Sequence, residues 1–236
     1  LNAVHGFLKL ALESEDPLTR QQQELLDLAA VAADQLVRLV GDMHDSMYLS
    51  SGKLALLLSP VDPVDLARTT VAGCMPLAAE SGLHVKCVWR PNMPTVRADR
   101  RRVERILGNL LQNAMKFAPP GTEIQVGVEL DGTAAVRFTV DDEGPGFDEQ
   151  EISRLFEPSS RGRRSASRET DGHGLGLSIA SALAVAHGGR LVASNRSQGG
   201  ARIELVLPLD PATAQERVGT PPRVPSHPGS PRQRRP

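Results

Sequence analysis

Cysteine and aromatic residues are scarce in this chain, and each shortage excludes a class of protein. Two cysteines, Cys74 and Cys87, among 236 residues can form neither a disulfide framework nor a zinc cluster. Aromatic residues make up only 3% of the sequence, which argues against a base-stacking surface for single-stranded nucleic acid. The formal net charge of -1 gives no overall attraction to nucleic acid or to an anionic membrane surface. We therefore expect this chain to contact neither.

Long apolar runs are also missing, so no segment is predicted to cross a membrane. The sequence begins with Leu1 rather than Met, has no signal peptide, and starts within a predicted helix. We therefore expect a cytoplasmic fragment of a longer protein, with room upstream for a membrane anchor. Hydrophobic residues, at 40%, are nevertheless sufficient for a packed core.

Residues 1–52 have the pattern of two amphipathic helices. Apolar residues recur at helical spacing through 1–14 and, after the break at Asp16-Pro17, through 18–49. Two such helices in an antiparallel hairpin cannot bury their apolar faces fully against each other. We therefore predict that two copies pair as a four-helix bundle, the alternative being that the hairpin packs on the following domain. The apolar stripe of the longer helix consists of Leu25, Ala29, Ala32, Leu36, Leu39, Met43 and Met47.

A second domain, predicted at 53–209, has a mixed α and β pattern. The predicted helices are 64–80, 99–117 and 175–186, and the predicted strands are 85–89, 123–130, 134–141, 190–195 and 201–207. The segment 147–172 is rich in Gly, Ser and Arg and is predicted to be irregular. The last segment, 210–236, is rich in Pro and Arg and is predicted to be a disordered tail.

Three polar residues line up on the predicted helix 99–117. Asn109, Asn113 and Lys116 are four and three residues apart, so they lie along one side of the helix. An Asn oxygen is a suitable ligand for Mg²⁺, and a Lys ammonium is suitable for phosphate. The alternative is an ordinary solvated face. The neighbouring stripe, predicted to face the core, consists of Val103, Ile106, Leu107, Leu110, Leu111, Ala114 and Phe117.

A carboxylate and two glycines follow the predicted strand 134–141. Asp142 continues the alternation of the apolar strand residues, so its side chain points toward the core and needs a hydrogen-bond donor. The amino group of adenine would supply a donor, whereas the carbonyl of guanine would not. Gly144 and Gly146 allow the backbone to approach a flat base closely. By itself this pattern more often marks a simple turn.

A further glycine-rich segment, Gly172 to Leu177, opens the predicted helix 175–186. Glycines at a helix N-terminus expose backbone N–H groups to phosphate oxygens. The long irregular segment before these glycines does not fit a dinucleotide-binding turn, and it favours a lid over a nucleotide.

The order of these elements resembles that of sensor histidine kinases, over about residues 1–209. The segments that carry the resemblance are the N box at 109–117, the G1 box at 140–147, the F box at 155–158 with Arg161, the G2 box at 172–177, His187-Gly188-Gly189, and Gly199-Gly200. The resemblance implies an α+β chain in which the dimerising helical hairpin precedes an α/β sandwich. That sandwich would be an ATP-binding domain of the histidine kinase/Hsp90-like ATPase type, a mixed sheet with helices on one face.

The resemblance also implies roles for individual residues. Asn113 is expected to coordinate Mg²⁺ on the ATP phosphates, while Asn109 and Lys116 face the phosphates as catalytic residues. Asp142 is expected to bind the adenine amino group. The other expected nucleotide contacts are Gly144, Gly146, Arg161, Gly172, Gly174, Leu175, Gly176 and Leu177. The implied reaction moves the γ-phosphoryl of ATP to a histidine of the homodimer and then to an aspartate of a response-regulator receiver domain.

Departures from the family pattern leave two alternatives open. Ser159 and Ser160 stand where the F box usually has aromatic residues, and Ala201 stands where Thr is frequent. A non-catalytic nucleotide-binding dimerisation module is therefore one alternative. The other is a chaperone-, topoisomerase- or mismatch-repair-type ATPase, but these carry a carboxylate in place of Asn109.

The phospho-acceptor is expected outside this sequence. In the family the acceptor histidine precedes a segment similar to Leu1–Phe7, which puts it about six residues before Leu1. His5 is then about ten residues, or about 15 Å of helix, beyond the acceptor position. Phosphoryl transfer requires reacting atoms about 3–3.5 Å apart, so His5 is not expected to be the acceptor. We expect the chain to bind nucleotide without phosphorylating itself.

The predicted dimer can be tested at the apolar stripe. Replacing both Leu36 and Leu39 by Glu would bury charge at the seam between two copies, at a cost of several kcal/mol, so the variant should be monomeric. Light scattering across a concentration series measures this directly. An unaltered chain that is monomeric at high concentration would contradict the prediction.

Overall fold

A computed structural model describes residues 54–157 and 176–210, together with eight residues between Thr19 and Leu36. The rest of the chain lies outside the described residues, including most of the predicted hairpin, nearly all of the predicted tail and four expected nucleotide contacts. Those four contacts are Arg161, Gly172, Gly174 and Leu175. In the described parts, no helix combines the length and the hydrophobicity that crossing a bilayer requires.

The longer helix of the predicted hairpin begins with a capping box at Thr19. The backbone N–H of Gln22 donates to Thr19 Oγ1 (3.3 Å), and the backbone N–H of Thr19 donates to Gln22 Oε1 (2.9 Å). The described residues from Arg20 to Leu36 are helical, as predicted. Ala33 is buried, whereas Leu36 is 50% exposed. The antiparallel pairing and the dimer involve residues outside the described set and remain predictions.

From residue 54 onward, three helices pack against a five-stranded mixed sheet. The elements are β1 (Ser59–Val61), α1 (Pro63–Glu80), β2 (His84–Trp89), β3 (Val96–Ala98), α2 (Arg100–Phe117), β4 (Glu123–Asp131), β5 (Ala135–Asp141), a 3₁₀ turn (Ile152–Arg154), α3 (Gly176–Ala186), β6 (Arg190–Asn195) and β7 (Ala201–Pro208). The strand order is β2-β4-β5-β7-β6, in which β2 runs parallel to β4 and the other neighbours are antiparallel. This confirms the predicted α+β arrangement. The short antiparallel pair of β1 and β3 was not predicted.

The two faces of the sheet differ in polarity, which places all three helices on one side. Alternate residues of the central strands, such as Val126, Phe138 and Leu205, belong to a single buried core that includes residues of α1, α2 and α3. The intervening residues carry charge: Arg137 on β5 is within 3.8 Å of Glu204 on β7 and 3.5 Å of Glu129 on β4. Among the described residues, helices cover the apolar face of the sheet and leave the charged face uncovered.

Helix α2 is the most strongly amphipathic part of this core. Asp99 caps its N-terminus by accepting a hydrogen bond from the backbone N–H of Arg102 (3.3 Å). Six of the seven predicted core positions are buried, but the prediction for Phe117 was wrong, because Phe117 is only half-buried. Phe117 is the last residue of the helix, and its ring lies 5.5 Å from Lys116 Nζ, while Met115 is buried instead.

A buried histidine joins the end of α3 to the start of α2. The backbone N–H of Asp99 donates to His187 Nε2 (3.1 Å), so Nδ1 carries the ring proton and donates to the carbonyl of Leu183 (2.7 Å). Asp99 Oδ2 in turn accepts from the backbone N–H of Leu57, in the segment before β1 (3.1 Å). His187 therefore has a structural role in the described part of the chain, and it fixes the end of the helix on which the predicted site lies.

Replacing His187 by Ala should destabilise the fold. The buried N–H of Asp99 would lose its acceptor, at a cost of about 1–3 kcal/mol in the free energy of unfolding. His84→Ala is the matched control, because His84 is exposed on β2, and its effect should be within about 0.5 kcal/mol of zero. Urea denaturation of the three proteins measures the difference, and equal stabilities would refute the role of His187.

Candidate functional site

Helix α2 brings the other two motif segments together. Near its middle, Asn109 Nδ2 donates to the backbone carbonyl of Gly176, the first residue of α3 (3.0 Å). At its C-terminal end, the carbonyl of Phe117 lies against Gly144, where an added Cβ would be 3.0 Å from the carbonyl oxygen. The predicted N box therefore contacts the described end of the G2 box on one side and the G1 box on the other.

Asn109, Asn113 and Lys116 are half-buried, beside the fully buried stripe of the same helix. Since α-helical residues rise by about 1.5 Å each, Asn113 lies about 6 Å along α2 from Asn109 and about 4.5 Å from Lys116. Asn113 is thus between the contact with α3 and the contact with the G1 segment. The predicted polar line consequently lies on α2 between these two contacts.

Asp142 follows the last residue of β5 and is only 5% exposed. Its Oδ1 accepts hydrogen bonds from the backbone N–H groups of Gly144 (2.8 Å) and Ala201 (3.3 Å). Among the described residues, no group donates to its Oδ2. One carboxylate oxygen is therefore held by the fold, and the other is left to accept a hydrogen bond from a ligand.

Some groups around Asp142 raise the pKa of its carboxyl group and others lower it. Burial raises the pKa of this carboxyl and is the largest influence. The two backbone N–H groups and the charge of Arg196 lower the pKa, whereas the neighbouring Asp141 raises it. The net effect is a raised pKa, which means that the ionised carboxylate is less stable here than in water.

Residues at the end of β6 and beyond it, which sequence reasoning missed, hold the G1 segment in place. Asn195 Oδ1 accepts from the backbone N–H of Phe147 (2.7 Å), and Asn195 Nδ2 donates to the carbonyl of the same residue (3.0 Å). Arg196 Nη1 donates to the carbonyl of Asp142 (2.6 Å). Arg202 on β7 forms a two-point ion pair with Asp141. The signal available in the sequence was the polar pair Asn195-Arg196, which is separated by two residues from the Gly199-Gly200 turn.

The glycines of the site differ in whether backbone conformation or lack of space excludes a side chain. Gly146 has a φ of +71°, and a Cβ there would be 2.7 Å from Asn195 Oδ1. Gly200 packs so closely that a Cβ would overlap the carbonyl of Asp142. Gly176, by contrast, has ordinary van der Waals space around its Cβ position. Leu177 packs its side chain against the core, so only its backbone is available to a phosphate.

The donor set fits a nucleotide with a bound magnesium ion better than a metal site built from protein alone. Within the described residues, no group of three or more His, Cys, Asp or Glu side chains could hold a metal ion. Mg²⁺ bound to nucleotide phosphates commonly takes one or two protein oxygens and completes its shell with phosphate and water. The amide oxygen of Asn113 meets that requirement.

Comparisons with known proteins identify the family of the domain that contains these residues. Residues 98–211 match the family described as histidine kinase-, DNA gyrase B-, and HSP90-like ATPase, which includes α2, Asp142, α3 and β7. The fold and the site thus define an ATPase domain of this class. Residues 98–211 belong to that family, and relatives that match over a wider part of the chain are named sensor or sensor-like histidine kinases.

Several relatives are named sensor proteins or histidine kinases. The chain is 33% identical over 176 residues to the signal transduction histidine-protein kinase BaeS of Escherichia coli, covering 74% of this chain and 37% of BaeS. It is 32% identical over 227 residues to the sensor protein GacS of Pseudomonas syringae, covering 94% of this chain and 25% of GacS. The solved structure of full-length ShkA in complex with AMPPNP is 31% identical, with a TM-score of 0.70 over 88% of this chain and 42% of ShkA. The chain therefore spans less than half the length of these relatives.

Replacing Asp142 by Asn should raise stability while weakening adenine binding. The pKa of Asp142 is higher in the folded protein than in the unfolded chain, so between these two pKa values the folded protein binds more protons. The contribution of Asp142 to stability therefore falls as the pH rises through this range, and above it the folded protein holds an unfavourably buried charge. The Asn variant lacks that penalty. It should therefore melt at a higher temperature near pH 7, with the difference vanishing in acid, while its Nδ2 opposes the adenine amino group.

Thermal melts at several pH values and calorimetry with ATP and GTP check the two halves of this prediction. An Asn variant that is less stable at neutral pH would contradict the electrostatic argument. An unchanged preference for ATP over GTP would contradict the role of Asp142 in base recognition.

Proposed function

We propose that this chain binds Mg-ATP in the cleft between α2, the segment 142–147 and the start of α3, and passes the γ-phosphoryl to a histidine of its own dimer. The observation that supports this most directly is the double contact of α2. Asn109 contacts Gly176 and the Phe117 carbonyl contacts Gly144, so one helix brings the polar residues of the N box to both glycine segments.

The base end of the proposed site is the Asp142 carboxylate. Its free Oδ2 is an acceptor that matches the amino group of adenine, and its held Oδ1 fixes the direction of that acceptor. Guanine would present a carbonyl oxygen to the same carboxylate, and two acceptors repel. We therefore expect adenine nucleotides to be preferred.

The phosphate end is formed by the polar line of α2 and by the N-terminus of α3. The Lys116 ammonium attracts phosphate charge, and the first backbone N–H groups of α3 point toward anions placed before the helix. Asn113 is the proposed protein ligand of Mg²⁺, which would neutralise phosphate charge when bound. In phosphoryl transfer the protein contributes mainly position and charge, which is what these residues supply.

The acceptor and the partners follow from the relatives by analogy. BaeS is named a signal transduction histidine-protein kinase, and we propose the same chemistry here, with a homodimer and a response-regulator receiver domain as partners. His187 is not a candidate acceptor, because it is buried and both of its ring nitrogens are hydrogen-bonded. The acceptor position expected upstream of Leu1 remains a prediction.

Asn113→Ala should weaken Mg²⁺-dependent binding of ATP by about tenfold or more, because a metal ligand is lost while the fold keeps its buried stripe. Gln112→Ala is the control, since Gln112 is the exposed neighbour on the same helix. Isothermal titration with and without Mg²⁺ gives the result. Equal ATP affinities for the two variants would contradict the role of Asn113 as a ligand of Mg²⁺. The absence of ATP binding by the unaltered chain would refute the proposed function.

A further inference from the structure

Asn195, the last residue of β6, and the following residue Arg196 hold the two ends of the segment that carries the proposed adenine-binding carboxylate. Asn195 binds the backbone of Phe147 and Arg196 binds the backbone of Asp142. We propose that this pair, which we call the 195–196 clip, positions Asp142 for the base and thereby sets adenine affinity and base preference. The inference rests on the proposed nucleotide site.

The hold of Asn195 on Phe147 is a two-point contact. Its amide accepts one hydrogen bond and donates another to the same peptide backbone, as a neighbouring strand would. Asn195 Oδ1 also occupies the space beside Gly146, which has a left-handed backbone. The end of the glycine segment is therefore fixed in both position and conformation.

The hold of Arg196 on Asp142 is a charge-assisted hydrogen bond of 2.6 Å to the carbonyl oxygen. The backbone of Arg196 is itself fixed, because its N–H donates to the carbonyl of Gly200 (3.0 Å) and its carbonyl accepts from Gly199 (3.1 Å). The same turn brings Gly200 against the Asp142 carbonyl and leads to Ala201, whose N–H reaches Asp142 Oδ1. The turn 196–200 thus surrounds Asp142 on its backbone and on one carboxylate oxygen.

These contacts do not involve the free Oδ2 of Asp142, so the clip is a positioning device rather than part of the binding surface. Because the clip acts at the base end, its loss should change how the site distinguishes adenine from guanine. A general loss of packing would instead lower the affinity for both nucleotides alike. Base preference therefore separates a positioning role from a merely structural one.

The experiment uses the whole chain and measures the affinities for Mg-ADP and Mg-GDP by calorimetry. Asn195→Ala and Arg196→Met should each weaken ADP binding about five- to tenfold, the effect of one to two lost hydrogen bonds, and should lower the ratio of ADP to GDP affinity. Arg196→Lys, which keeps a cationic donor, should recover part of both. Hydrogen exchange should be faster at the amides of Gly144 and Phe147 in the first two variants.

Arg190→Ala is the control, because Arg190 is on the same strand and has an ion pair with Asp131, but it is at the far end of β6. It should bind as the unaltered chain does. If Asn195→Ala does not fold, the nearly isosteric Asn195→Asp keeps the acceptor for Phe147 N–H and opposes the Phe147 carbonyl, so it should show the same change in ratio.

Two results would have different meanings. An unaltered chain that binds neither nucleotide would overturn the proposed function and, with it, the clip. An unaltered chain that binds ADP, with folded clip variants that keep the same ADP affinity and the same preference over GDP, would overturn the clip alone.

Discussion

The site depends on how helix α2 is rotated about its own axis. Seven of its residues are buried against the sheet and the neighbouring helices, and burying large aliphatic side chains is worth about 1.5–3 kcal/mol each. Any rotation of the helix would expose part of that stripe. The rotation that buries it also leaves Asn109, Asn113 and Lys116 half-buried beside the stripe, so the same packing energy that stabilises the domain fixes the side of α2 on which this polar line lies.

The remainder of the proposed site is organised around a carboxylate whose burial costs the folded protein desolvation energy. Asp142 is buried, and its desolvation outweighs the help from two backbone N–H groups and from Arg196. A protein selected only for stability would avoid this arrangement. A buried carboxyl group with a raised pKa, and with one oxygen that no described residue occupies, is a combination found more often at functional sites than elsewhere.

The two ends of α2 are fixed by contacts that are distant in sequence. His187, at the end of α3, accepts from the backbone of Asp99 at the helix start, and Gly144 packs on the carbonyl of Phe117 at the helix end. Between them, Asn109 contacts the first residue of α3. These contacts connect the glycine segments to the helix and make the site a property of the whole domain rather than of one loop.

The helices, the strands of the five-stranded sheet and the motif residues of this domain could be predicted from the sequence alone. Periodicity is a local signal, so the helices at 63–80 and 100–117 and the hairpin of β4 and β5 could be predicted within a few residues, and the ordered motifs indicated the family. Only the tertiary structure decided that Phe117 leaves the core, that β1 pairs with β3, and that Asn195 and Arg196 hold the segment of Asp142. The contacts of Asn195 and Arg196 join residues about 50 positions apart, and neither spacing nor composition in the sequence indicates such contacts.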